Sequence, residues 1–378
     1  MSITKCPLPQ LLLAGLDSLY VSYYLDLETS DLDFADLEFR KLMLADRETG
    51  YDDVTLGSER FLLKPYGKKP YKYVLANDAF QIALAERLKP SASVQFMSKA
   101  LWHEGADALH ARILAWAESL NAHMYKMESI SRADWAFDFH LPSVDFAEDH
   151  FASRARKDNT WRDAGRVQTF QFGTGDTVVR VYDKVAEIEQ ASSKIWFHDI
   201  WARPLADLGI GDRPTGTDGI NVWRVEFQVR RDRLRDGGII TYTDLTELAG
   251  DLLRDLAYRH TTLRCPIGDD SNKARWPLHP LWDALQTAIE DMPAQGLLRA
   301  YRDKNPLDYR LNKLSKALYG YTKGVGALLR LLQSDQDAPI ELEEVLAKLP
   351  VLINEHHVPS LWREEVEQRV RAHGLGQW

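Results

Sequence analysis

Three short segments alternate polar and apolar residues with a period of two, and this alternation constrains the fold more than any other feature of the chain. The first is ISRADWAFDFH (130–140). Side chains on a strand point alternately to opposite faces, so Ala133, Trp135, Phe137 and Phe139 share one face. Arg132, Asp134, Ala136, Asp138 and His140 share the other. The second is TVVRVYDKVAE (177–187), with Arg180, Tyr182 and Lys184 on one face and Val179, Val181 and Asp183 on the other. The third is NVWRVEFQVRR (221–231), with Arg224, Glu226, Gln228 and Arg230 opposed to Trp223, Val225, Phe227 and Val229. Three such segments predict strands of one antiparallel sheet whose apolar faces share a core.

The opposite face of that sheet would then carry acids, a tyrosine and several cations. Two readings fit it. The plain one is a half-solvated face whose charges pair across strands. The chemical one is a phosphodiester-transfer site. Asp134, Asp138 and Glu226 would gather a divalent cation. Arg224 and Arg230 would clamp phosphate. Tyr182, between Arg180 and Lys184, would be an activated nucleophile, because neighbouring positive charge favours the phenolate. Asp183, on the core-side parity, reads as structural, an ion pair or a helix cap.

At these residues the sequence resembles the replication initiation factor family, the trans-acting rolling-circle plasmid initiators and related conjugative-element relaxases. The resemblance rests on RADWAFDF (132–139), FQFGTGDTVVRVYDKVAE (170–187) and WRVEFQVRR (223–231), in that order. It covers about 130–245 and fades after about 290. It implies an α+β fold of the modified rolling-circle nickase type: a central antiparallel sheet with helices on one side, followed by a helical C-terminal region. It implies that Tyr182 becomes joined to a DNA 5′ end beside Lys184 and Arg180. It implies Mg²⁺ or Mn²⁺ near Asp134, Asp138 and Glu226, and phosphate contacts from Arg132, Arg224, Arg230 and Arg166. Partners would be single-stranded or melted origin DNA with flanking duplex, together with a host helicase and a second copy of the chain. The histidine-hydrophobe-histidine motif of other rolling-circle nickases is absent here, as in the trans-acting branch. The turn Gly173-Thr174-Gly175-Asp176 lacks the basic residue usual in the family.

The chain is 378 residues long, and its formal charge of −9 argues on average against a simple basic nucleic-acid coat. The distribution changes that. Residues 1–60 hold twelve acids and five bases, which accounts for seven of the nine units. Basic, aromatic-rich stretches stand at 61–75, 151–166 and 299–330, a composition suited to tracking a nucleic-acid backbone and stacking bases. Two cysteines, Cys6 and Cys265, cannot build a disulfide framework. With no apolar run of membrane-spanning length, the expectation is a cytoplasmic protein.

The pattern predicts a nickase domain over 1–255, a connector over 256–290 and a helical domain over 291–378. Helices are predicted over 103–124, from Thr243 as N-cap to Tyr258, and over 282–292, 306–333, 340–354 and 360–373. The core face of the fourth would be Leu311, Leu314, Leu318, Val325, Leu328 and Leu329. Trp276, His279 and Trp282 are read as packing residues. Alternatives with the same pattern are a conjugative relaxase with the same chemistry, a non-catalytic DNA-binding regulator on the same fold, and an acidic scaffold.

Overall fold

The computed structural model describes residues 8–44, 50–163, 166–210, 221–268, 270–295, 306–333 and 338–374. Cys6, the stretch 211–220 and the part of the basic segment from 299 to 305 lie outside the described residues. The strands are β1 (Gln10–Leu25), β2 (Asp52–Leu56), β3 (Glu59–Leu63), β4 (Tyr73–Ala76), β5 (Phe80–Leu84), β6 (Ala92–Phe96) and β7 (Met124–His140). They continue with β8 (Phe151–Ser153), β9 (Asp158–Asp163), β10 (Arg166–Phe172), β11 (Thr177–Asp183), β12 (Val222–Arg230) and β13 (Thr261–Leu263). Eleven of them form one sheet in the order β2-β3-β4-β5-β6-β1-β7-β12-β11-β10-β9, and β13 pairs separately with β8. The three alternating segments are β7, β12 and β11, neighbours in the centre of the sheet, and all pairings there are antiparallel.

The register explains why. Pairing Trp223 with Phe139, Val225 with Phe137 and Phe227 with Trp135 puts the core-facing residues of β12 beside apolar residues of β7. A one-residue slip would turn both rows to the wrong face, so burial fixes the pairing. Helices Ala106–Glu118, Tyr242–Asp255 and Pro280–Glu290 cover this face with Ile113, Trp116, Leu252, Leu253, Leu285 and Ile289. Burying such side chains is worth about 1.5–3 kcal/mol each.

A second, smaller cluster lies on the polar face. Helix Phe197–Asp207 brings Phe197, Trp201 and Leu205 onto Leu12, Val185, Ile188 and Val222. The expectation of helices on one side therefore holds for the main core, while one helix caps an end of the opposite face.

The β10–β11 turn needs glycine. Gly173 has φ +93°, and a Cβ there would overlap the Thr177 carbonyl oxygen. Helix Tyr242–Asp255 starts two residues earlier than Thr243 predicts, because Thr241 and Asp244 form a capping box.

The chain divides into residues 1–302 and 303–378. Segment 256–290 is no free connector: β13 is paired, and Leu263, Leu281 and Trp282 belong to the main core. Trp276, His279 and Trp282 are buried packing residues, as expected. In the second unit, helices Pro306–Leu331, Leu342–Asn354 and Pro359–Gly374 match the helical pattern. The predicted core face of the first of these is corrected: Leu311, Leu314, Leu318 and Leu328 are exposed. The helix Leu342–Asn354 packs near Gly326, whose missing side chain admits Val345, and among the described residues nothing covers Leu311, Leu314 and Leu318. No helix among the described residues is long and apolar enough to cross a membrane.

Candidate active site

The register sets the polar face out in rows. Trp161 of β9 stands opposite Thr169, Thr169 opposite Tyr182, Tyr182 opposite Arg224, and Arg224 opposite Asp138. The next row runs Asn159, Gln171, Arg180, Glu226 and Ala136. Residues in one row share a face, so Tyr182, Arg180, Arg224, Glu226 and Asp138 are brought together as the alternation predicts.

Tyr182 donates its hydroxyl to Glu226 Oε2 at 2.8 Å. The other carboxylate oxygen takes Arg180 Nη1 at 2.7 Å, and Arg180 is held in turn by Gln171 and Gln228. Tyr182 is only 8% exposed. Burial, and then the Glu226 charge, push its phenol well above the ordinary tyrosine value, although Arg224 opposes them. Positive charge does favour the phenolate, but burial and Glu226 outweigh it. At neutral pH the hydroxyl keeps its proton, and Glu226 stands where a base must stand to take it.

Lys184 is the first residue of helix Lys184–Glu187, not part of the strand. Asp183 caps that helix by accepting from the Ala186 amide at 3.0 Å, the structural role its parity suggests. The Lys184 ammonium lies 5.7 Å from the Tyr182 ring centroid and 2.5 Å from Glu187 Oε2. Burial and the Arg224 charge lower its pKa.

Arg224 is completely buried. Its Nε and Nη2 bind both oxygens of Asp138 at 2.6 and 2.9 Å, and Nη1 reaches Asp17 at 3.0 Å. Trp201 adds a hydrogen bond to Asp138 at 2.9 Å, and the Phe197 ring lies over the guanidinium. Arg224 therefore offers nothing to a phosphate and acts as an internal tie. Asp17 sits at a register shift of β1 between Leu16 and Ser18, an irregularity that re-aims side chains. Burial would raise its pKa, but Arg224 and Lys194 outweigh burial and hold it well below the usual carboxylate range.

The three candidate metal carboxylates do not converge. Asp134 and Asp138 are four residues apart on one strand, about 13 Å by strand rise. Asp138 is enclosed by Arg224 and Trp201, Asp134 is bound by Arg132, and Glu226 is shared by Tyr182 and Arg180. Among the described residues no three histidine, cysteine or carboxylate side chains gather to hold a metal. As arranged, these residues do not fit a ready divalent-ion cage.

Burial, against the pull of Arg132, pushes Asp134 up to about 6. A carboxyl raised in the folded state supplies stability below its unfolded value near 3.8, and this is lost as pH rises through about 6. The stability of the wild type relative to Asp134→Asn should therefore fall between pH 4 and pH 7 by roughly 2–3 kcal/mol. Urea denaturation across that range checks this. A constant difference between the two proteins would refute it.

The remaining phosphate candidates differ in availability. Arg230 and Arg132 stand directly opposite one another, a pairing of like charges that an anion would relieve. Arg230 is exposed, whereas Arg132 is tied to Asp134 and stacked on Tyr20. Lys68 also lies over the Tyr20 ring, at 5.5 Å. Arg166 is exposed on β10 near the edge of the sheet. Trp161, 48% exposed and two strand spacings from Tyr182, went unnoticed in the sequence because only the register shows which strand face it shares. Asp17 and Gln171 were missed for the same reason, and Trp201 because it reaches Asp138 from a helix.

No protein-family model and no curated protein matches this sequence. Among solved structures, a rolling circle replication initiator protein from Geobacillus stearothermophilus aligns with a TM-score of 0.42 and 18% identity. The alignment spans 75% of this chain and 98% of that one.

Proposed function

We propose that the chain is a site-specific DNA nicking and strand-joining enzyme that starts rolling-circle replication through a 5′-phosphotyrosine intermediate. The observation that carries this reading is the Tyr182 hydroxyl, hydrogen-bonded at 2.8 Å to a carboxylate that an arginine orients. In the reaction the Tyr182 oxygen bonds to phosphorus while its proton passes to Glu226. The bond from phosphorus to the 3′ oxygen breaks, and that oxygen takes a proton from solvent and leaves as a 3′-hydroxyl primer. The phosphotyrosine keeps the bond energy, so the strand can later be rejoined without ATP. Arg230 meets a neighbouring phosphate, and Trp161 offers an exposed ring on the same face for a base to stack on. Arg180 fixes Glu226.

Mg²⁺ or Mn²⁺ is the cofactor the sequence resemblance implies, and the fixed carboxylate pairs do not supply its site. The test is to incubate the full chain with a single-stranded oligonucleotide library, with Mg²⁺, with Mn²⁺ and with EDTA, and to search for covalent adducts. The expected result is an adduct mapping by peptide mass to Tyr182, and its survival or loss in EDTA reads the metal requirement separately. An adduct on another residue would overturn the nucleophile. No adduct under any condition would overturn the activity.

A further inference from the structure

On the face of the sheet away from Tyr182 lies a cleft of about 950 Å³, formed by edge strand β9, the β8–β13 pair and residues near 148, 259 and 273. Arg162 lines it, and the adjacent Trp161 shares the Tyr182 face, since neighbours on a strand point oppositely. The cleft carries Arg154, Arg162, Arg259, Arg264 and Lys273 against Glu148, Asp149 and Asp158. This is a basic hollow in a chain of net charge −9.

Of these cations Arg259 pairs with Asp255 at 3.6 Å, while the other four meet no carboxylate among the described residues. Arg154 and Arg162 are exposed and form no ion pair among the described residues. Among the described residues the Arg264 side chain bonds neutral groups alone, the Thr262 hydroxyl at 3.2 Å and the Trp276 carbonyl at 3.0 Å. Lys273 likewise bonds the Phe151 carbonyl at 3.1 Å. A neutral partner fixes a cation in place without cancelling its charge. The Tyr258 ring on the rim is 41% exposed, with its hydroxyl anchored by Glu290. Several fixed positive charges, an exposed ring and a volume far larger than one phosphate suit a run of nucleotides.

We propose that this cleft binds the phosphodiester backbone of DNA flanking the point of attack, so that the strand passes around the β9 edge from the Trp161 side to the Arg162 side. The proposal rests on the nicking reading for its choice of polyanion. It is tested by fluorescence anisotropy with labelled 20-mer single-stranded and duplex DNA across a salt series. Wild type is compared with Arg154→Gln/Arg162→Gln, whose melting temperature should be unchanged because both side chains are exposed.

Losing two phosphate contacts should flatten the slope of log K against log salt by about 1.4 for single strands or about 1.8 for duplex. Affinity near 0.1 M salt should fall roughly 10- to 30-fold. The probe showing the change identifies the form of DNA held. An unchanged slope and affinity on both probes, with adduct formation intact, overturns the cleft and leaves the nickase reading standing. Weakened binding in the variant, with no adduct in the wild type, supports the cleft and sinks the nickase reading.

Discussion

Tyr182→Phe should abolish covalent joining to DNA while leaving oligonucleotide affinity within about twofold, since the substitution removes only a buried oxygen and contributes nothing to phosphate attraction. Glu226→Gln should be informative in a different way. The phenol lies well above its ordinary value because burial and the Glu226 charge both oppose ionisation. An unassisted attack would draw on a minute phenolate fraction, so removing the base should cost about 10²–10⁴-fold in rate. The pH profile then separates a base from a mere prop. Without Glu226 the rate should climb tenfold per pH unit through the neutral range, tracking the phenolate. The wild-type rate should be much flatter there. Single-turnover nicking of an oligonucleotide carrying the mapped site reads both. Wild-type rates in Glu226→Gln would remove the carboxylate from the chemistry, and residual adduct in Tyr182→Phe would move the nucleophile elsewhere.

What the sequence made legible is what burial enforces. Alternation in β7, β11 and β12 forced their core faces together, and the pairing of Tyr182, Arg224 and Asp138 in one row follows once that register is set. What it could not show is how charges divide among partners on the other face. A strand pattern cannot tell a carboxylate awaiting a metal from one enclosed by arginine, and Asp138 is the second kind. The choice was made by residues remote in sequence. Asp17 enters at a register shift of β1, and Trp201 arrives on a helix after the Tyr182 strand. Lys184 shows the limit of extrapolating a period: the strand stops at Asp183, which caps a helix. The helical pattern of 306–331 was right about the element and wrong about its buried face, because periodicity marks an apolar stripe without saying what covers it.

The largest stability effect should come from Arg224, not from any residue of the hydrophobic core. Arg224→Leu leaves the Asp138 and Asp17 carboxylates in a buried site with their main cation gone. Breaking a buried ion pair from one side costs about 3–5 kcal/mol, and here one cation serves two acids. Urea unfolding at pH 7 measures the loss, and Arg224→Lys provides a milder variant if Arg224→Leu does not fold, because an ammonium cannot span both partners. The pH dependence has a definite sign. Asp17 is held below its ordinary range, so its contribution is complete above the unfolded value near 3.8 and fades as pH falls toward the lower folded value. The deficit of Arg224→Leu should therefore hold from pH 7 down to about pH 4 and shrink below it, as the Asp17 contribution to the wild type fades. Combining Arg224→Leu with Asp17→Asn and Asp138→Leu should recover most of the loss, since a buried charge network replaced by apolar groups is often neutral in stability. A deficit under about 1 kcal/mol at pH 7, or one that grows on acidification, would show that the network does not carry this load. If the triple variant is stable yet forms no adduct at Tyr182, then the arginine serves the site as well as the fold, holding the Tyr182 row in place from β12 to β7.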